Sequence, residues 1–197
     1  MTTPLPFAWP HALIFWAVYV WVFVPEFRIL GRTSLSRPTP VEDRGSLRVL
    51  TFGFSAAVMA AFLFPFAAPW AELPGRRAVW FFVGVLLMIA GSLLRRHCFR
   101  VLGRFFTGAV TIQEGHRVID TGAYRWVRHP SYSAALIIVL GIATAPGNWI
   151  GVVVAFAVAL AGYSYRARVE ERALLASLGD PYARFMASRK RFIPFLW

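Results

Sequence analysis

The sequence has only one cysteine, Cys98, among its 197 residues. A lone thiol excludes an internal disulfide bond, and it excludes a cysteine cluster that would hold a metal. Free cysteine usually behaves as a small apolar residue in a packed interior. We therefore expect Cys98 to be buried, and we expect no metal in the functional site. The sequence also lacks internal repeats, low-complexity tracts and a separate soluble domain.

Charged residues are scarce as well. They make up 15% of the chain, whereas hydrophobic residues make up 58% and aromatic residues 16%. This composition is far from the average of soluble globular domains and favours a membrane protein. Uncharged runs that could cross about 30 Å of hydrocarbon lie at 5–25, 49–71 and 78–94, and the longest lies at 133–165.

The run 133–165 is too long for a single helix, and a Pro-Gly turn signal interrupts it at 145–148. It therefore predicts a tight helical hairpin over about 130–168. Pro130 suits the first helical position, from which the first arm covers only about 24 Å by the helix rise. The predicted fold is all-α, an integral membrane protein with five transmembrane helices, of which the last two form the hairpin.

The first run resembles the apolar core of a signal peptide, but the residues before it differ from one. The stretch 1–9 carries no positive charge, and no small-residue cleavage pattern follows the run. We therefore expect a retained transmembrane helix.

The net charge of +12 could indicate nucleic-acid binding, so the positions of the charges have to decide. All but two of the 21 lysine and arginine residues fall between the first and second runs, between the third run and the hairpin, or after the hairpin; the two are Arg76 and Arg77. The positive-inside rule then places the N-terminus outside and the C-terminus in the cytoplasm. The basic excess is interpreted as a topology signal and an anchor to anionic lipids, with no nucleic-acid partner.

The polar stretch before the hairpin, 121–132, has the features of a ligand site. Thr121 and Gly122 indicate a turn, and His129 falls near the N-cap of the first hairpin helix, with Tyr132 three residues later. A helix N-terminus surrounded by His129, Arg128 and Tyr124 would suit a ligand with a carboxylate. The neighbouring Arg125 and Trp126 are better explained as anchors at the membrane interface.

A second cluster of polar residues follows the hairpin. On a continued helix, Tyr163, Arg166 and Glu170 share one face, and Arg168 and Glu171 share another. Gly179 is expected to end this helix, with Asp180 as the N-cap and Pro181 as the first residue of the next. The charges could form a solvated helix end or line a polar cavity at the membrane boundary.

A third polar stretch follows the run 78–94. Arg95 and Arg96 are explained as the cytoplasmic end of a transmembrane helix. The histidines His97 and His11 are assigned no role.

Together these stretches resemble the isoprenylcysteine carboxyl methyltransferases and their bacterial relatives, and they are also similar to membrane phospholipid methyltransferases. The resemblance rests on GAYRWVRHPSYSA at 122–134 and VEERALLASLGDPY at 169–182, separated by a hydrophobic hairpin, and extends over about 93–197. The chain departs from the pattern at Ala134, where the family has glycine. One added methyl group there can narrow a close approach of helices or ligand.

The resemblance implies S-adenosylmethionine as methyl donor, bound facing the cytoplasm by a C-terminal segment. The residues that it places around the donor are Gln113, His116, Val118, Gly122, Tyr124, His129 and Tyr132, with Glu171 near the donor's amino group. By its charge, Glu170 beside Glu171 is also expected to face that cationic amino group. It gives Arg95 and Arg166 the role of holding the carboxylate of a lipophilic acceptor that enters from the bilayer. Taken with the uncharged runs, we expect one domain over 1–197 in the inner membrane, with three transmembrane helices in 1–94 and the catalytic region in 95–197.

Two alternatives stay open beside this interpretation. Membrane reductases of the sterol-reductase kind resemble the C-terminal region but use NADPH, and a non-catalytic membrane adaptor would bind neither cofactor. The acceptor also stays open among an isoprenylated cysteine, another lipid carboxylate, a phospholipid amine and a small thiol, as does the oligomeric state.

Overall fold

The structure is a computed structural model that describes residues 3–33, 45–106, 115 and 117–194, with the side chains of 25–33 left out. All regular secondary structure in these ranges is helical. The α-helices are α1 His11–Thr33, α2 Ser46–Ala67, α3 Arg77–Leu102, α4 Pro130–Thr144, α5 Trp149–Leu178 and α6 Asp180–Ser188. Short 3-10 turns lie at Leu5–Phe7, Pro69–Ala71, Gly103–Phe105 and Gly122–Arg125.

The four uncharged runs appear as the five predicted helices, because the run 133–165 is divided between α4 and α5. Within the described ranges, three are long and apolar enough to cross a membrane, namely Ser46–Ala67, Arg77–Phe105 and Trp149–Leu178. His11–Val24 and Pro130–Thr144 are shorter apolar helices. The chain is thus a helical, multi-pass membrane protein.

Three helix boundaries differ from the prediction. The first helix begins at His11 rather than at residue 5, because the prolines at 6 and 10 cannot continue a regular helix. Helix α3 runs eight residues past 94, because a helix can leave the apolar layer without ending, and it stops at Gly103. Helix α6 begins at Asp180, so its N-cap is Gly179 and not Asp180.

Helix α4 is the centre of the bundle. At 15 residues it is about 22 Å long by the helix rise, close to the short arm expected, and 12 of its residues are buried. It packs mainly against α3 and also against α5, while α5 packs mainly against α2. A helix covered by protein in this way does not need the length or hydropathy of one that faces lipid.

Glycines allow α3 and α4 to approach each other closely. A Cβ atom on Gly84 would lie 2.6 Å from the carbonyl oxygen of Gly141, and one on Gly141 would lie 2.6 Å from the carbonyl oxygen of Gly84. Further along the same contact, a Cβ atom on Gly91 would lie 2.8 Å from the carbonyl oxygen of Ala134. Ala134, which replaces the family glycine, is fully buried opposite this glycine, so the α3–α4 contact accommodates its methyl group.

The turn between α4 and α5 ties both to the end of α2. Asn148 is 2% exposed, and its side-chain oxygen accepts a hydrogen bond from the Gly151 amide at 2.9 Å as the N-cap of α5. Its amide nitrogen donates to the carbonyl oxygens of Phe64 and Ala68 at the end of α2. The predicted turn is therefore present, and Asn148 joins two helices there.

The opposite end of the bundle collects the polar segments. The end of α3 reaches the start of α4, where Arg95 donates to the Ser131 carbonyl oxygen at 2.8 Å. Helix α5 contacts the start of α2 at Arg166, which donates to the Ser46 hydroxyl at 2.7 Å. The fold thus places the residues before and after the hairpin at one end of the molecule.

We expect Gly84→Ala to destabilise the protein, because the added methyl group meets backbone atoms that cannot rotate away. Overpacking of this kind costs about 1–3 kcal/mol, which thermal unfolding in detergent measures. Gly53→Ala is the matched control, because its Cβ atom would lie no closer than 3.9 Å to atoms of α5. Equal melting temperatures for the two variants would contradict the close α3–α4 contact.

Candidate active site

His129 stands at the start of α4. It is the N-cap residue, and its carbonyl oxygen accepts from the amides of Tyr132 and Ser133. Pro130 follows at the first helical position, where its missing N–H is not needed. The imidazole ring is 5% exposed and stacks on the Tyr132 ring, with centroids 5.2 Å apart and planes 5° from parallel. The turn into α4 therefore fixes both rings as one unit.

Glu171 of α5 lies directly against this unit. Its Oε1 atom is 3.1 Å from Nε2 of His129 and 3.1 Å from Nε of Arg128. Arg191 approaches both carboxylate oxygens, with Nη2 2.6 Å from Oε2 and Nε 3.2 Å from Oε1. The Glu171 side chain is 5% exposed, so the three partners compensate a buried negative charge.

Glu170 has a different environment from its neighbour. Its Oε2 atom accepts a hydrogen bond from the Tyr132 hydroxyl at 2.6 Å and lies 3.8 Å from Nδ1 of His129. Its side chain is 32% exposed, and within the described part of the chain its Oε1 atom has no polar partner. Of the two glutamates, Glu170 is thus the one with an oxygen available to a ligand.

The chain after α6 completes this end of the molecule. Residues 190–192 run parallel to 127–129, with a bridge between Val127 and Lys190. The amides of Arg128 and His129 donate to the carbonyl oxygens of Lys190 and Arg191 at 2.9 and 3.0 Å. The next carbonyl oxygen, that of Phe192, accepts from the Ser133 hydroxyl at 2.7 Å. The segment 190–192 is thereby bonded to the start of α4 over its whole length.

Tyr124 lies in the 3-10 turn Gly122–Arg125. Gly122 has φ +57°, and a Cβ atom there would lie 2.8 Å from the His97 ring, so the turn sits closely on α3. The Tyr124 hydroxyl is buried, and no group in the described part of the chain meets the geometry of a hydrogen bond with it, although the Ser131 side chain lies nearby. Burial raises the pKa of this phenol well above its ordinary value. The hydroxyl therefore stays protonated and can donate a hydrogen bond to a ligand.

The two arginines predicted to hold the acceptor lie beside this cluster. Arg166 is 3% exposed and bonds to Ser46, which is fully buried as the first residue of α2. Arg166 is also a polar neighbour of the Tyr132 hydroxyl. Arg95 is half-buried and bonds to the backbone of Ser131. Each guanidinium is therefore anchored to a helix start.

The remaining predicted residues have separate locations. Val118 is half-buried in a segment without regular secondary structure, and Gln113 and His116 lie outside the described residues. Trp126 is 50% exposed with the Arg125 guanidinium over its ring at 4.6 Å, as suits an interfacial anchor. Cys98 is fully buried, which confirms its interpretation as a core residue.

Three contributors to the site were not among the predicted site residues. Arg191 stands in a basic stretch, 189–191, that looks like a solvated surface. Ser46 and Phe192 are a small polar and an apolar residue distant in sequence from the motifs. None of these three carried a local signal in the sequence, whereas Arg128 was indicated by its position next to His129.

The chain is similar to several known proteins. Residues 84–176 match the model of the isoprenylcysteine carboxyl methyltransferase (ICMT) family. Over 170 residues the chain is 27% identical to a probable protein-S-isoprenylcysteine O-methyltransferase of Oryza sativa subsp. indica, and the alignment covers 84% of each chain. Over 127 residues it is 29% identical to protein-S-isoprenylcysteine O-methyltransferase B of Arabidopsis thaliana, covering 62% of this chain and 64% of the relative.

Among solved structures, the fold is similar to that of the eukaryotic intramembrane Ras methyltransferase ICMT. The TM-score is 0.56 at 22% sequence identity, and the match covers 74% of this chain and 52% of that chain. The protein thus spans about half the length of the solved structure, and this likeness concerns the fold.

The fold and the paired polar segments define a multi-pass helical membrane protein with a polar site at one end of the bundle. The matched stretch, just under half of the chain, resembles the isoprenylcysteine carboxyl methyltransferase family.

We expect Tyr132→Phe to lower stability in the absence of any ligand, because it removes a short hydrogen bond to the Glu170 carboxylate. Bonds to charged groups contribute about 1.5–3 kcal/mol, which thermal unfolding in detergent measures. Tyr19→Phe in α1 is the control, because the Tyr19 hydroxyl makes no hydrogen bond within the described residues. A Tyr132 variant as stable as this control would contradict the contact.

Proposed function

We propose that the protein is an S-adenosylmethionine-dependent methyltransferase that esterifies the carboxylate of a lipophilic acceptor, most simply an isoprenylcysteine-like compound. One observation carries the proposal: the two halves of the family motif meet in space, with His129 of the first half 3.1 Å from Glu171 of the second. The curated relatives are named for the same reaction. These names favour methyl transfer over a reductase or an adaptor.

The described residues fit a ligand with the charges of the methionine part of the donor. Glu170 offers a half-exposed carboxylate oxygen to an ammonium group, and the start of α4 at His129 suits a carboxylate. The buried Tyr124 hydroxyl has a proton to donate and no partner in the described ranges. Gln113, His116, Val118, Gly122 and Tyr132 complete the proposed donor site by the family resemblance, with Glu171 beside the amino group.

When bound, S-adenosylmethionine supplies an electrophilic methyl group on a sulfonium. The residues of the chain then have to align the acceptor with it, because methyl transfer is an in-line displacement that depends on orientation. A carboxylate acceptor is already ionised at neutral pH, so the site needs no strong base. Arg166 and Arg95 can orient such a carboxylate through the planar fork of a guanidinium.

The acceptor's lipid nature matches the surroundings of these arginines. Both lie where apolar helices give way to the polar end of the bundle, so a lipid can reach them from the bilayer while a water-soluble donor arrives from the solvent side. We propose five membrane-crossing helices in a single domain over 1–197. The positive-inside rule supports a cytoplasmic site, an external N-terminus and a location in the inner membrane.

We expect Glu171→Gln and His129→Ala to largely abolish donor binding, because each removes a member of the buried cluster at the start of α4. Isothermal calorimetry with S-adenosylmethionine in detergent measures this. Glu72→Gln is the matched control, because Glu72 pairs with Arg77 at 2.8 Å at the other end of the bundle. Unchanged binding in both site variants would reject the proposed donor site.

We expect Arg166→Lys to raise KM for a carboxylate acceptor by about tenfold or more, because a charge-assisted bond is lost, while the donor Kd changes little. The assay uses labelled donor and an N-acylated S-prenylcysteine, with its carboxamide as a second substrate. Arg96→Lys is the control, since Arg96 contacts the Trp21 carbonyl oxygen instead.

The outcomes of this assay separate the alternatives. Loss of activity on the carboxamide analogue would support a carboxylate acceptor, and equal activity on both analogues would contradict it. Thermal stabilisation of the wild-type protein by NADPH and not by S-adenosylmethionine would favour a reductase. Stabilisation by neither would favour an adaptor, and incubation with labelled donor and a lipid extract would identify a different acceptor.

A further inference from the structure

We propose that Arg191 is a positioning residue of the donor site, which holds Glu171 and His129 in their working geometry from the C-terminal side. The proposal rests on the proposed function only for the identity of the ligand. Arg191 contacts both residues by different groups. Its guanidinium binds the two oxygens of Glu171 at 2.6 and 3.2 Å, and its carbonyl oxygen accepts from the His129 amide at 3.0 Å.

The side-chain contact is not a surface ion pair. The Glu171 carboxylate is 5% exposed and the Arg191 side chain 20% exposed, so little water screens their interaction. The two-pronged contact also fixes the rotation of the carboxylate plane, which a single point charge does not. Glu171 in turn lies against Nε2 of His129. By fixing the carboxylate, Arg191 therefore also helps to fix the position of the imidazole.

The backbone contacts make the segment 190–192 a fixed support. Three successive carbonyl oxygens, those of Lys190, Arg191 and Phe192, accept from the start of α4. Phe192 is buried 6.2 Å from the His129 ring. Arg191 therefore does not depend on its ion pair to stay in place, and a change of its side chain leaves these backbone bonds available.

Arg191 also separates the tasks of the two glutamates. Arg128, Arg191 and His129 occupy the oxygens of Glu171, whereas Glu170 keeps one oxygen without a partner in the described residues. With Glu171 compensated inside the protein, the cation of a ligand is directed to Glu170. Arg191 thus acts through other residues and need not touch the donor.

The test compares Arg191→Lys with Arg189→Lys. Lysine keeps the positive charge but cannot bind both Glu171 oxygens in one plane, so we expect donor Kd and donor KM to rise at least about tenfold, with acceptor KM unchanged. Arg189 is the control because it lies two residues away and donates to the Arg125 carbonyl oxygen instead. Donor binding by Arg191→Lys equal to that of Arg189→Lys would overturn the proposal.

A double-mutant comparison separates positioning from general stability. If Arg191 acts through Glu171, then Glu171→Asp, which keeps the charge but shortens the side chain, combined with Arg191→Lys binds the donor no more weakly than Glu171→Asp alone. Fully additive losses would overturn the proposal. If Arg191→Lys does not fold, the variant Glu171→Gln with Arg191→Gln replaces the ion pair by two neutral amides, and wild-type donor affinity in that variant would likewise overturn it.

The wild-type protein distinguishes this inference from the proposed function. Absence of S-adenosylmethionine binding to the wild-type protein would reject the proposed function, and the inference with it. Normal wild-type binding together with normal binding by Arg191→Lys would reject the inference alone.

Discussion

The ion cluster around Glu171 is the interaction on which this end of the molecule depends. A single carboxylate joins α5 to the start of α4 through His129 and Arg128, and to the C-terminal segment through Arg191. A buried carboxylate deprived of one such partner is costly, because the remaining charge is uncompensated. The cluster therefore couples three parts of the chain that are far apart in sequence, and it helps to position the neighbouring Glu170 and Tyr132 side chains.

The rest of the fold can be understood as a scaffold for that cluster. Helix α4 is short and buried, and the glycine contact with α3 allows it to lie deep in the bundle. Helix α5 is twice as long, and its extra turns carry Arg166, Glu170 and Glu171 beyond the apolar layer. The difference in length between the two arms of the hairpin is thus what brings the second polar stretch beside the first.

Much of this arrangement is predictable from the sequence. Uncharged runs predicted the five apolar helices, because burial in lipid requires long stretches without charge. The Pro-Gly signal at 145–148 predicted the hairpin, and Pro130 marked the start of α4. The family resemblance then predicted that His129 and Glu171 share a site. The role of these residues in donor binding stays a proposal.

Other features depend on partners that no local pattern reveals. The contact of Gly84 with Gly141 requires knowing which helices are neighbours, since neither glycine differs locally from others in the chain. Arg191 lies in a short basic stretch whose composition is typical of a solvent-exposed surface. Only the fold shows that it contacts a buried carboxylate. The predicted start of α1 was wrong, because an uncharged run does not show that the prolines at 6 and 10 prevent a regular helix from forming before His11.

The two-sided cap made by Asn148 has a mechanical consequence. It fastens the end of α2 to the start of α5, so these long helices cannot separate there without breaking buried hydrogen bonds. Any lateral parting between them must pivot about this point and be widest at the far end, where Arg166 contacts Ser46. A lipophilic acceptor that enters laterally from the bilayer would therefore pass most easily between the two helices beside Arg166, which we propose binds its carboxylate.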